Sequence, residues 1–130
     1  MVASSSDRAK VLCVDDEPGV IELVALILKP QGIEVEGAMN GIEALNTMRQ
    51  NPPDVVLLDI MMPEMDGWEV YKEMRADAQL KDIPVIIVTA RNSSFEEIIA
   101  RERAGVNDYV TKPFVPNDLR DSLTKILTQS

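Results

Sequence analysis

Val55-Val56-Leu57-Leu58-Asp59-Ile60-Met61-Met62-Pro63-Glu64-Met65-Asp66-Gly67 is the stretch that decides the fold. Four consecutive apolar β-formers without polar alternation predict a strand covered on both faces, the signature of a central parallel strand. In an open α/β sheet the ligand crevice lies beyond the carboxyl ends of the strands, which places Asp59 at that crevice. Taken alone, the stretch reads equally as a turn, because Asp is a common turn former and Pro63 and Gly67 follow closely.

The sequence on either side separates the two readings. Lys10 to Val14 is a second β run that ends in Asp15-Asp16-Glu17. Pro18 then opens a helical pattern with Ile21, Val24, Ala25 and Leu28 on one face, stopped by Pro30 and Gly32. Ile33 to Ala38 alternates apolar residues with Glu34 and Glu36, as expected of a strand near a sheet edge. Asn40 is placed to cap a helix with Ile42, Ala44, Leu45 and Met48 on its apolar face, ended by Asn51-Pro52-Pro53. Downstream, a helix from about Gly67 to Arg75 carries Trp68, Val70, Tyr71 and Met74. Val85 to Thr89 is another buried strand, ending in a hydroxyl. Ser93 or Ser94 caps a helix with Ile98, Ile99 and Ala100, closed by Gly105. Asn107 to Thr111 is a short strand followed by Lys112-Pro113-Phe114, and the last helix starts near Pro116 with Leu119, Leu123, Ile126 and Leu127 spaced for one face. Five βα units in succession predict an α/β fold: a parallel sheet with helices on both sides, joined by right-handed crossovers. Met1 to Ala9 reads as a loose polar tail and residues 10–130 as one domain.

Composition limits the function. A chain of 130 residues, 45% of them hydrophobic, can bury a core without metal or disulfide staples. The net charge of -9, with no Lys/Arg cluster, argues against direct nucleic-acid contact by this domain. Apolar runs such as Leu23 to Leu28 are too short to span a bilayer, and the start has no apolar signal core, so a cytoplasmic location without membrane contact is expected. The single Cys13 reads as a small core residue suited to a reducing compartment. Histidine is absent, which removes His-based metal sites, Ser-His triads and an internal phosphohistidine donor.

Lining up the strand ends brings the chemistry into view. Asp15-Asp16, Asp59, Thr89 and Thr111-Lys112 all close strands, and in a parallel sheet those ends share one edge. Two carboxylates about 4 Å apart repel by roughly 4 kcal/mol at an effective dielectric near 20, so clustered Asp residues call for a cation. A hard, oxygen-seeking ion such as Mg²⁺ matches Asp side chains without His or Cys. A metal beside a carboxylate, with an amine and a hydroxyl across from it, is suited to phosphoryl transfer, and Asp59 on its central strand is the natural nucleophile.

Val-Asp-Asp-Glu at 14–17, Leu-Leu-Asp-Ile-Met-Met-Pro-Glu-Met-Asp-Gly at 57–67, Val-Thr-Ala at 88–90 and Ala-Gly-Val-Asn-Asp-Tyr-Val-Thr-Lys-Pro-Phe at 104–114 together resemble the receiver domain of two-component response regulators, including its chemotaxis members. The resemblance runs from Lys10 to Leu127. It implies a flavodoxin-like three-layer (βα)5 sandwich with strand order 2-1-3-4-5. It further implies that Asp59 accepts a phosphoryl group from the phosphohistidine of a histidine kinase or phosphotransfer protein. Asp16, Asp59 and the backbone carbonyl of Met61 would bind Mg²⁺ directly, and Asp15 through a water. Thr89 and Lys112 would hold phosphate oxygens, with Lys112-Pro113 cis. Thr89 and Tyr109 match the switch positions that remodel the face formed by helix four, strand five and helix five. That face would then meet a downstream target or output domain, or a second copy in a phosphorylation-dependent homodimer. Met61 and Arg91 match the variable positions expected to tune acyl-phosphate hydrolysis.

Other readings fit less well. An aspartyl phosphatase of the haloacid-dehalogenase type places a second Asp two residues after its nucleophile, where Met61 stands. A pseudo-receiver would lack some of Asp16, Asp59 and Lys112. A flavodoxin needs a phosphate cradle where Asp15-Asp16-Glu17 would repel one. The expectation is therefore a signalling domain whose chemistry is confined to its own phosphorylation and dephosphorylation, either stand-alone or part of a longer regulator. Trp68, Met61, Met62 and Met65 are read as structural cover rather than a ligand box.

Overall fold

Val55–Leu58 forms strand β3 at the centre of a five-stranded sheet, with all four residues buried. The structure, a computed structural model, describes residues 8–90 and 94–128; the expected tail up to residue 7, Ser93 and Arg91 lie outside them. The remaining strands are β1 (Lys10–Val14), β2 (Glu34–Ala38), β4 (Val85–Thr89) and β5 (Asp108–Thr111). Their order is β2-β1-β3-β4-β5 and every pairing is parallel. Apolar runs in β1, β3 and β4 follow from that position, since helices cover both faces of the sheet.

Side chains that alternate along the strands feed two separate cores. On one face Leu12, Val14, Val56, Leu58, Val85 and Ile87 meet helices α2 (Gly41–Gln50) and α3 (Gly67–Ala76) and the π-helical segment Ile99–Ala104 that continues α4 (Ser94–Ile98). On the other, Val11, Cys13, Val55, Leu57, Ile86 and Val88 meet α1 (Pro18–Leu28) and α5 (Pro116–Leu127). Hence the chemistry-bearing strand ends are backed by two dry layers.

Local signals account for the helix starts. Asn40 accepts from the Glu43 N–H at 2.8 Å, as its position predicts. Asp66 and Glu69 form a reciprocal capping box that fixes where α3 begins. Gly105, at φ 77°, closes the π segment with its N–H on the Ala100 carbonyl.

Several expected core positions differ. Ile42 is 64% exposed, because at about 100° per residue it stands outside the arc shared by Gly41, Ala44, Leu45 and Met48. In α1 the buried residues are Val24, Ile27 and Leu28, with Ile21 and Ala25 only half-buried. Ala100 in the π segment is buried while Ile98 at the end of α4 is 57% exposed, since the i→i+5 turn that follows rotates the helix face. Edge strand β2 starts at Glu34 rather than Ile33, and Glu34 and Glu36 are exposed on it.

Candidate functional site

At the carboxyl edge of the sheet, β1 delivers Asp15, β3 delivers Asp59, β4 ends in Thr89 and β5 leads into Lys112. The Lys112 ammonium donates to Asp15 Oδ2 at 2.7 Å and to Asp59 Oδ2 at 3.0 Å, with Glu17 Oε1 at 3.5 Å. Asp15 and Asp59 are 2% and 4% exposed. Their second oxygens are also engaged: Asp15 Oδ1 accepts from the Glu17 N–H at 2.9 Å and Asp59 Oδ1 from the Met61 N–H at 2.8 Å. Thr89 is buried, and its carbonyl accepts from the Lys112 N–H at 2.8 Å, which ties β4 to the residue that carries the ammonium. The Lys112-Pro113 peptide is cis.

The loop after β3 is shaped by close packing. A Cβ at Gly67 would lie 2.4 Å from the Asp59 carbonyl oxygen and 2.6 Å from Ile60 Cα, so only glycine lets the start of α3 sit against the peptide of Asp59. Met62 is buried, Met65 and Trp68 pack against the core, and Met61 is 47% exposed beside the site. This agrees with the structural reading of all but Met61, which lines no core.

Charge is unevenly shared at this edge. Burial raises the Asp15 pKa, and its hydrogen bond to Lys112 opposes this without cancelling it. Burial pulls the Lys112 ammonium down, but its bonds to Asp15 and Asp59 outweigh that and hold it above the ordinary lysine range. One cation is divided between two buried carboxylates. Cys13 on β1 is pushed up to about 12 by burial first and then by Asp15.

The donor set suits a hard cation. Carboxylate oxygens of Asp15, Asp16 and Glu17 lie within 4.8 Å of one another, and no His or Cys ligand stands among them. Against these three and Asp59 there is, among the described residues, a single ammonium, so a divalent ion would move the cluster toward neutrality. Asp16 is half-buried and Glu17 exposed, leaving both accessible. Glu17 is the residue that sequence reasoning used only as part of an acidic turn; its contact with Lys112, formed across 95 residues of chain, has no signature in spacing. Tyr109 is buried on β5, and an apolar recess of about 340 Å³ borders Lys112, lined by Val20, Leu23, Pro113 and Phe114 among others.

A doubly wound parallel sheet with clustered carboxylates and one lysine at its carboxyl edge defines a class of aspartate-centred α/β domains. The family model described as the response regulator receiver domain matches residues 11–124, and the chain belongs to that family. A chemotaxis protein of Vibrio cholerae, CheY4, is 34% identical, covering 92% of this chain and 98% of its own with a TM-score of 0.83. A putative response regulator from Chloroflexus aurantiacus gives 35% identity, coverage of 94% and 99%, and a TM-score of 0.86. Among curated relatives, the probable transcriptional regulator ycf27 of Guillardia theta is 41% identical over 95% of this chain and 47% of its own length. The DNA-binding response regulator MtrA of Mycolicibacterium smegmatis is 36% identical over 86% and 47%. This chain thus spans about half the length of those curated relatives. Among the described residues no helix is long and apolar enough to cross a membrane.

Proposed function

We propose that residues 10–130 form a phosphorylation-dependent signalling switch in which Asp59 is the phosphoacceptor, preceded by a short tail at 1–9. The observation that carries this reading is the Lys112 ammonium bonded at once to Asp15 and Asp59, both buried at the carboxyl edge of the sheet. An Asp59 oxygen attacks the phosphorus of a phosphohistidine on a histidine kinase or phosphotransfer protein. The P–O bond forms as the P–N bond breaks, the electron pair leaving with the imidazole, and an acyl phosphate results. Mg²⁺, when bound by Asp16, Asp59 and the Met61 carbonyl with Asp15 through a water, supplies charge neutralisation for the transferring group. Lys112 and the Thr89 hydroxyl hold phosphate oxygens, and the Met61 N–H orients the acceptor carboxylate. The recess beside Lys112 supports a protein phosphodonor, because it offers exposed apolar surface from Val20, Leu23, Pro113 and Phe114 next to the ammonium.

Thr89 and Tyr109 pass the change to the face made by α4, β5 and α5, which meets a target protein, an output domain or a second copy of the chain. No turnover of external substrates is part of this function, and its setting is the cytoplasm. The relatives' DNA-binding names describe proteins about twice as long. This domain, at a net charge of -9, is not read as the DNA-contacting part.

Intact mass after incubation with acetyl phosphate, with and without Mg²⁺, tests the reading on wild type and Asp59→Asn. A Mg²⁺-dependent, hydroxylamine-labile gain of one phosphoryl group in wild type alone is expected. An equal gain in Asp59→Asn would overturn the assignment.

A further inference from the structure

We propose that Asp108 is a three-way clasp that holds α4, β5 and α5 in their resting arrangement, a control point distinct from Asp59; its signalling role rests on the function proposed above. Asp108 heads β5 and is 9% exposed. Its Oδ1 accepts from Arg101 Nη2 at 2.7 Å and from the Tyr109 N–H at 2.9 Å, while its Oδ2 accepts a short hydrogen bond from Ser122 Oγ. Each donor belongs to a different element: the π turn after α4, β5 itself, and α5. Arg101 also donates to Glu97 at 3.0 Å, so the clasp reaches one turn back into α4.

The far end of the π segment is pinned from the opposite side. Tyr71 on α3 donates its hydroxyl to the Ala104 carbonyl at 2.6 Å. A π turn is a rare backbone state that persists where its surroundings over-determine it. Here Arg101 and Ala104 are the two anchors, and releasing the Arg101 side lets α4 rearrange about the Tyr71 side. A buried carboxylate is sensitive to the loss of one donor, because it keeps its desolvation cost while giving up the bond. Tyr109 is the next residue, with its N–H on the same carboxylate, so whatever moves Asp108 moves the aromatic with it.

Hydrogen-exchange mass spectrometry on Ser122→Ala and Asp108→Asn, without any phosphodonor, tests the clasp. Exchange in residues 96–104 and in α5 should accelerate at least tenfold in both variants, with β1 and β3 unchanged. Unchanged exchange, or equal acceleration across the whole sheet, would overturn the clasp. If the clasp also controls the switch, acetyl phosphate should label both variants at least twofold faster than wild type, since a face already released favours the linked phosphorylated state. Faster exchange with an unaltered labelling rate would overturn that control role. The exchange readout needs no phosphoryl group. A wild type that never gains phosphoryl mass therefore counts against the function proposed above, while the exchange of α4 decides the clasp.

Discussion

Lys112 reaches across 53 residues of sequence to donate to Asp59 Oδ2 at 3.0 Å, and it does so while bonded to Asp15 as well. Removing one partner of a buried ion pair typically costs about 3–5 kcal/mol, because the remaining charge keeps its desolvation penalty. Lys112→Met should therefore lower the unfolding free energy by about 3 kcal/mol at pH 7 in EDTA. The loss should shrink with Mg²⁺ present, as the ion takes over part of the neutralisation. Urea denaturation of both proteins in the two buffers measures it, and equal stability in EDTA would contradict the shared-cation arrangement.

The same pair fixes the alkaline limb of stability. The folded pKa of Lys112 lies above its ordinary 10.5, so its contribution is complete below 10.5 and is lost as pH rises through the folded value. Asp15 runs the other way for a carboxylate. Its pKa is raised above 3.8, so the stabilisation from its proton is present below 3.8 and disappears as pH rises through the folded value. Asp15→Asn, which is neutral at every pH, should then be more stable than wild type at pH 7 without metal. The gap should close as wild type is acidified toward pH 4, and thermal melts across that window read it directly.

Gly67 and Gly19 make opposite predictions. Gly67→Ala forces a Cβ onto the backbone of Asp59 and Ile60, neither of which can swing aside as a side chain would. Overpacking of this kind costs about 1–3 kcal/mol and, under the proposed function, should also slow acetyl phosphate labelling, since the peptide of Asp59 must shift. Gly19 in α1 has nothing within 4 Å of an added Cβ. Gly19→Ala should stabilise by about 0.5–1 kcal/mol with labelling unchanged. Paired denaturation and labelling rates separate the two.

Cys13 is buried, with its thiol pushed up to about 12, so hardly any thiolate forms in the folded protein at pH 8. A disulfide reagent should leave the native protein unlabelled for hours and react at once in urea. Fast native labelling would show that the β1 layer opens.

Much of the fold is legible in the sequence because its strongest signals are local. Val55–Leu58 reads as a covered strand, Asn40 as a helix cap and Gly105 as a helix stop, and each occupies that place in the structure. Asp15, Asp59, Thr89 and Lys112 are also legible, since parallel topology alone sends strand ends to one edge. What escapes is set by long-range geometry. Nothing in the spacing of Arg101, Asp108 and Ser122 announces a junction, nor does any residue announce the π turn that brings Arg101 within reach. Ile42 and Ile98 resemble core residues by composition, yet the rotation of each helix turns them outward.

The bond from the Met61 N–H to Asp59 Oδ1, at 2.8 Å, has a consequence for how such a domain can change over generations. Its donor is main chain, so every residue except proline supplies it, while the side chain at 61 is 47% exposed and packs in no core. Mutation there alters the surroundings of the acceptor without disturbing its aim or the fold. Under the function proposed above, reaction timing can drift at this position while the machinery that gives the chemistry its direction is inherited intact.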